Sequence, residues 1–420
     1  MSPSATDCCL NPAEKPLLSV AQGKARILQA VHTVTAREQL HLRAALGRIL
    51  AAPVVSAINV PCFDNSAMDG YAVRSQDCAG TMKVDLSVVG SSFAGAPFAG
   101  EVTAGQCVRI MTGAVVPNGT DTVIMQEYAN RVDDRVTFET KNIAAGQHVR
   151  YTGEDTRSGD TVLEPGKKLG AAEIGLLASV GIAEVSVSRR LRVAFFSTGD
   201  ELTGVGTPLG AGQIYDSNRY ALHGMLAKAA IECYDLGVIP DKRDAVRSAL
   251  QQAAEVADLV LTSGGVSVGE ADYITETLGE LGEINFWRIA MKPGKPLAFG
   301  QLDSAAFFGL PGNPVSAMVT FYQFVLPAIR KMTGETLHNP LLVQARCAVE
   351  LKKAPGRMEF QRGILHTEKD GVLSVSTTGM QGSHLLGSMS QANCLIHLPA
   401  ESAGVQAGEQ VSVQPFLDFD

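Results

Sequence analysis

From Leu191 onward the sequence alternates short apolar runs with amphipathic stretches, and this alternation constrains the fold more than any other feature. Leu191–Ser197 reads as a buried strand, Asn218–Ala230 as a helix, Tyr234–Ile239 as a strand, Asp244–Ala257 as a helix and Asp258–Thr262 as a strand. Helix Tyr273–Leu281, strand Ile284–Ala290, strand Ala305–Phe308 and a long helix Pro314–Lys331 follow. Asn313 ahead of Pro314 supplies an N-cap and a first helical residue whose missing N–H would have no partner anyway. Short apolar strands separated by helices call for a parallel, doubly wound sheet covered on both faces, a three-layer α/β/α domain.

The flanks have a different rhythm. Residues 18–52 read as helical, with Ser19 as the N-cap. Residues 56–190 carry short β-type runs such as Val84–Val89 and Val123–Met125 between Gly, Pro and Asn turns, interrupted by one helix near 171–180. After Gly334 the β pattern returns in Leu342–Val349, Gly371–Thr377 and Gln410–Pro415, which predicts a small C-terminal β-barrel. The expectation is thus an α/β multidomain chain. It comprises a loose tail over 1–16, a helical and β domain from 17–55 plus 151–190, a β-rich inserted domain over 56–150, the α/β/α domain over 191–335 and the barrel over 336–420.

Composition removes several function classes. The net charge of −8 argues against a general nucleic-acid binder, which would need a basic face, though a local cation cluster could still take a small anion. No apolar run is long enough for a bilayer, and the polar first residues hold no secretory segment. Cys8, Cys9, Cys62, Cys78, Cys107, Cys233, Cys347 and Cys394 show no C-x-x-C spacing, and no H-x-x-x-H occurs, so neither a zinc site nor a disulfide framework is expected. Scattered thiols suit a reducing cytoplasm.

In an open parallel sheet, ligands bind beyond the carboxyl ends of the strands, where helix N-termini and free backbone N–H groups converge. Those ends here are Ser197-Thr198-Gly199-Asp200-Glu201, Pro240-Asp241, Thr262 to Asp272, Met291 to Pro296 and Gly309 to Pro314. One such loop would read as an ordinary turn. Five on one edge, each polar and most Gly-rich, predict a binding site. Ser263-Gly264-Gly265 can form an anion nest, with Ser267 adding a hydroxyl. Lys292 and Lys295 flank Gly294 and suit an oxyanion, although two solvated lysines would look the same in sequence. Asp200, Glu201, Asp241, Glu270 and Asp272 would repel an anion unless Mg²⁺ bridged carboxylate and phosphate oxygens. Asp272 can also cap the helix at 273. Outside this domain, Phe63 to Arg74, Arg109 to Ala114 and Thr152 to Asp155 read from chemistry alone as polar loops.

Taken together, these segments resemble the molybdopterin molybdenumtransferases, the family of MoeA and the gephyrin E domain. The resemblance rests on Phe63-Asp64-Asn65-Ser66-Ala67-Met68-Asp69-Gly70-Tyr71-Ala72, Arg109 to Ala114, Gly153-Glu154-Asp155, Ser197 to Leu202, Gln213 to Asn218, Ser263 to Glu270, Lys292 to Pro296 and Gly309 to Pro314. They stand in family order from about residue 17 onward. The resemblance implies a homodimer whose cleft is shared between the α/β domain of one chain and loops of the other. It also implies the reaction: adenylylated molybdopterin loses AMP while molybdate joins the dithiolene, with Mg²⁺ required. It places Asp69, Thr112 and Asp155 on the facing β-rich lobe and Glu201, Asp241 and Asp272 on the pterin- and nucleotide-binding edge. Lys292, Arg288 and Lys295 would meet phosphate or molybdate.

Catalytic roles are therefore expected of Asp69, Thr112, Asp155, Glu201, Asp241, Asp272 and Lys292, with Glu201 and Asp241 as Mg²⁺ ligands. Substrate-binding roles are expected of Ser197, Thr198, Gly199, Asp200, Ser263, Gly264, Gly265, Ser267, Arg288, Gly294, Lys295, Pro311, Gly312 and Asn313. Contacts with a molybdopterin adenylyltransferase and with downstream maturation proteins of molybdoenzymes are also expected. Two alternatives stand beside this reading. The α/β domain alone equally fits a molybdopterin adenylyltransferase, and a non-catalytic scaffold of the gephyrin type would keep the same fold.

Overall fold

The computed structural model describes residues 17–140, 143–227, 231–264 and 273–416. The tail over 1–16 and the positions Gly265, Ser267 and Asp272 lie outside them.

At the centre is a six-stranded sheet in the order Ile231–Ile239, Leu191–Thr198, Leu259–Ser263, Ala305–Leu310, Pro296–Leu302, Gly282–Arg288. Its middle strands are buried at every position but Arg192 because both faces are covered. Alternate residues divide cleanly between two cores. Val193, Phe195, Leu259, Leu261, Phe308 and Leu310 face the helices Ser217–Ala227 and Pro314–Met332, while Ala194, Phe196, Val260 and Phe307 face the helix Arg243–Val256.

The sheet is mixed rather than wholly parallel. Pro296–Leu302 runs antiparallel to both neighbours and joins the next strand through the two-residue turn Asp303-Ser304. The sequence predicts a loop over Met291 to Pro296 and no strand between it and Ala305. Gly300 is required in the sheet, since a Cβ there would lie 2.1 Å from the Glu283 carbonyl oxygen.

The predicted helix over 18–52 holds only for Val20–Ala30, where Ser19 and Gln22 form a reciprocal capping box. The β-branched run that follows favours extended backbone, and Arg37–His41 pairs antiparallel with Glu184–Ser188. The helix itself packs its Ile27 and Val31 into the core beneath Phe324 and Ile289, not into the β-rich lobe. The long C-terminal helix contains a π turn at Phe321–Val325. That turn includes Gln323, whose carbonyl the ring of Pro327 would strike in a regular helix.

The β-rich lobe is built on a six-stranded sheet ordered Thr122–Met125, Gly70–Val73, Gln106–Ile110, Lys83–Ser92, Arg135–Glu139, Ala129–Val132. At the other end of the chain, Met358–Thr367, Leu373–Thr377, Val343–Cys347, Gln410–Pro415 and Cys394–Leu398 pair in sequence, and the last returns to the first to close a five-stranded barrel. Closure leaves no free edge for a neighbouring chain to extend. The two-residue strand Met291–Lys292 lies parallel to Met358–Glu359 and ties the barrel to the α/β domain. No helix among the described residues is long and apolar enough to cross a membrane.

Candidate active site

A cavity of about 550 Å³ opens at the carboxyl edge of the central sheet. Four of the five loops singled out in sequence supply Thr198, Gly199, Glu201, Asp241 and Lys292 to Pro296, together with Pro311, Gly312 and Asn313, and the remaining loop contributes Gly264. Strand polarity explains the convergence: the parallel strands at 191–198, 231–239, 259–263 and 305–310 all end on this side.

The backbone here demands glycine at two points. Gly264 has φ +95°, and a Cβ would lie 2.7 Å from the Thr198 carbonyl oxygen. Gly294 has φ +96°, and a Cβ would press on Thr320 Oγ1 at 2.6 Å. Gly264→Ala is accordingly expected to push two strand ends apart and weaken substrate binding at least ~10-fold while the domain stays folded. Calorimetric titration beside a circular dichroism spectrum checks this.

Two residues of the lining, Thr198 and Asn313, do not spend their side-chain polar groups on the local fold. Thr198 Oγ1 is buried with no partner. Asn313 occupies the N-cap position of the helix at Pro314, yet its side chain makes no capping bond. Ser263 and Ser197 are placed differently. The Ser263 hydroxyl accepts a 2.7 Å bond from Asn218 Nδ2, and that same amide donates to the Gly312 carbonyl, so it locks the loop over 310–313 to the Ser263 strand. The Ser197 hydroxyl donates to buried Asp216, which is also bound by Arg219. Neither serine lines the cavity.

Charge in the cavity is mixed. Asp241 has its carboxyl pushed above the usual range, first by burial and then by neighbouring Asp200 and Glu201. Its backbone N–H donates to Asp200 Oδ1 at 3.1 Å, which holds the acidic group together. Lys292 and Lys295 line the same cavity. Lys292 is not a free surface lysine: its ammonium lies 3.1 Å from Glu359 Oε1 of the barrel. Arg288 ends its strand and does not line the cavity.

The barrel also contributes residues that sequence reasoning missed. Arg357, Gln381, Gly382 and Ser383 line the cavity, as does Ser316 on the long helix. The Ser383 carbonyl accepts from the N–H of Val315 and pins the barrel loop to that helix. No motif announced these positions, because the site they complete exists only once the barrel has docked.

Asp69, Thr112 and Asp155 belong to the β-rich lobe and are not among the cavity's lining residues. Asp69 Oδ1 accepts both the N–H and the hydroxyl of Thr112, at 2.8 and 2.7 Å. These bonds, with Arg109 assisting, hold its carboxyl below the ordinary value. Arg109 in turn donates to the Gly70 carbonyl and lies over the Tyr71 ring. A parallel arrangement occurs nearby, where Asp64 Oδ1 accepts the N–H and hydroxyl of Thr152. Asp155 is exposed on the adjoining turn.

Comparison with known proteins decides what this architecture is. Residues 18–181 match the MoeA N-terminal region (domain I and II), 194–331 a probable molybdopterin binding domain, and 344–416 the MoeA C-terminal region (domain IV). The chain belongs to the MoeA family. A molybdopterin molybdenumtransferase of Haemophilus influenzae is 48% identical to it, covering 95% of this chain and 99% of that one. One from a Nostoc species is 40% identical over 90% of this chain and 88% of its own length. The crystal structure of a molybdopterin biosynthesis MoeA protein from Pyrococcus horikoshii superposes with a TM-score of 0.83 at 29% identity, covering 95% of this chain and all of that one. The MoeA family's probable molybdopterin binding domain thus coincides with the stretch that carries most of the cavity wall.

Proposed function

We propose that this chain is a molybdenumtransferase of molybdenum cofactor biosynthesis, which joins molybdate to the dithiolene of adenylylated molybdopterin with release of AMP. The observation that carries the reading is the cavity at the sheet edge, whose lining brings together the carboxylates of Glu201 and Asp241, the cations of Lys292 and Lys295, and the glycines Gly199, Gly264, Gly294 and Gly312. Its volume suits a nucleotide-sized ligand. The substrate offers phosphates for the Gly264 turn and the lysines, a pterin for the Pro311 to Asn313 loop, and sulfurs to which molybdate is brought.

Glu201 and Asp241 fit Mg²⁺ as a pair of hard oxygen donors, with substrate oxygens completing the shell. Burial first, and then the charges of Asp200 and Glu201, raise the Asp241 carboxyl, and a bound cation would offset the second of these. Bound there, the ion would supply charge neutralisation to the phosphates.

This predicts a metal-linked stability. Because its folded pKa is raised, Asp241 favours the fold most at pH below its unfolded pKa, and that benefit disappears as pH rises through the folded value. At neutral pH, Mg²⁺ should therefore raise the melting temperature, and the effect should fade in acid. Asp241→Asn should raise the metal-free melting temperature by about 1–3 °C and abolish the response to Mg²⁺. Thermal scans with and without Mg²⁺ at two pH values check both.

We further propose that the active enzyme is a homodimer in which Asp69, Thr112 and Asp155 of one chain face the cavity of the other. The support is that these residues carry the family's motif yet lie in a lobe that supplies nothing to the cavity of its own chain. The six described cysteines are free, which suits the cytoplasm as its location. The substrate would come from a molybdopterin adenylyltransferase, and the product would pass to proteins that load molybdoenzymes.

Incubating the purified protein with adenylylated molybdopterin, Mg²⁺ and molybdate tests the function. AMP release that depends on molybdate supports it. Synthesis of adenylylated molybdopterin from ATP and molybdopterin would instead assign the adenylyltransferase reaction. Substrate binding without AMP release would assign a scaffold.

A further inference from the structure

The barrel strand Met358–Thr367 pairs with the segment that carries Lys292, and what that strand does to the lysine extends the functional reading. Lys292 lies in a two-residue strand in register with Glu359, with Met291 opposite Met358. The N–H of Met358 donates to the Ala290 carbonyl at 2.9 Å and extends the same seam. Backbone pairing therefore fixes the lysine's Cα, and the side chain is fixed separately. Its ammonium lies 3.1 Å from Glu359 Oε1, where the carboxylate side chain is 6% exposed and the lysine side chain 50%. Gln361 Nε2 donates to that same Oε1 at 3.1 Å and to the Lys352 carbonyl at 3.2 Å, so the carboxylate is itself held.

A buried carboxylate with a half-exposed lysine is a costly way to join two domains, since an apolar pair of the same volume would serve as well or better. The arrangement has a second consequence. An ammonium has three N–H donors, and Glu359 engages one of them. The remaining donors are held on a side chain that lines the cavity, and the four-carbon stem gives up its rotamer freedom before any ligand arrives. Arg357, in the bend immediately before that strand, lines the cavity as well and brings a cation from the barrel.

We propose that Glu359 is a positioning residue for Lys292, holding its ammonium toward the tetrahedral oxyanion of the substrate pair, molybdate or phosphate. This rests on the functional reading above. Glu359 acts only through Lys292, and its effect disappears when the lysine's charge is removed.

A double-mutant cycle tests this on the full chain, using E359Q, K292M and the double variant, with molybdate-dependent AMP release as the readout. E359Q keeps the volume and an acceptor oxygen but removes the charge that strengthens the bond. In the wild-type background it should lower kcat/KM about 10-fold, mostly through a rise in KM. In the K292M background it should change the value less than about twofold. Separate titrations of molybdate and of adenylylated molybdopterin identify the oxyanion concerned: the one whose KM rises is the one Lys292 meets. Calorimetric binding of both ligands completes the same cycle where turnover is too slow to follow, and thermal melts show that each variant is folded. Equal factors for E359Q in both backgrounds would overturn the proposal and leave Glu359 a strut between domains. A wild-type protein without molybdate-dependent AMP release would overturn the functional reading instead, so the two failures are distinguishable.

Discussion

Arg362→Met is expected to destabilise the barrel by about 3–5 kcal/mol and to impair the active site as it does so. Arg362 is fully buried. Its guanidinium donates to Ser388 Oγ at 3.0 Å and to the carbonyls of Gln381 and Gly382 at 3.1 and 2.9 Å. The backbone of Arg362 is bound in both directions by the Gln381 side chain, at 2.8 and 3.1 Å. Burial alone pulls the guanidinium's pKa down, and the charge of nearby Glu359 opposes that shift. Methionine fills most of the volume but leaves these carbonyls buried without donors, the costly outcome for a polar cluster. Gln381, Gly382 and Ser383 line the cavity, so the loop should loosen where the substrate sits. Hydrogen exchange would read faster opening of 379–388 and of the barrel strands, with AMP release reduced in parallel. Exchange unchanged from wild type would mean that the loop holds its shape without the guanidinium.

The second large effect belongs to Asp69. Asp69→Ala should cut molybdate-dependent AMP release about 100-fold or more, on the scale of removing a group that acts in the transition state. Both hydrogen bonds from Thr112 go to Oδ1, which orients the carboxylate and leaves Oδ2 outside those bonds. The carboxyl is held below its ordinary value, so the loss should be the same at every pH from about 5 upward. The dimer reading adds a sharper result. Glu201→Ala should be similarly inactive, yet mixed subunits of the two variants should recover about a quarter of wild-type activity. Half of a random mixture is heterodimer, and each heterodimer keeps one of its two sites intact. No recovery on mixing would put Asp69 and Glu201 to work within one chain.

The α/β domain was legible because its signals are local. Continuous apolar runs such as Leu191–Ser197 and Leu259–Ser263 announce strands buried on both faces, and polar Gly-rich loops at their ends announce where ligands gather. The antiparallel strand Pro296–Leu302 carries weaker signals, since it opens on a proline and holds Gly300 where the Glu283 carbonyl approaches closely. The helix predicted over 18–52 stops at Ala30 because the β-branched run that follows favours extended backbone, and Arg37–His41 then pairs with Glu184–Ser188. Site residues followed this division. Glu201, Asp241, Lys292 and Gly264 stood in recognisable loops, whereas Arg357, Gln381 and Ser383 reach the cavity only through docking of the barrel, for which sequence carries no periodic signal. Ser197 and Ser263 illustrate the converse: both stand in conspicuous motifs, and both spend their hydroxyls on the fold through Asp216 and Asn218.

The central claim concerns the transfer of molybdenum, and the most direct measurement is the ratio of molybdenum retained in the pterin product to AMP released. With Mg²⁺, molybdate and adenylylated molybdopterin, about one molybdenum per AMP is expected for the wild-type protein. Little AMP should appear when molybdate is omitted. AMP released at full rate without molybdate, or a pterin product that carries no metal, would contradict the account.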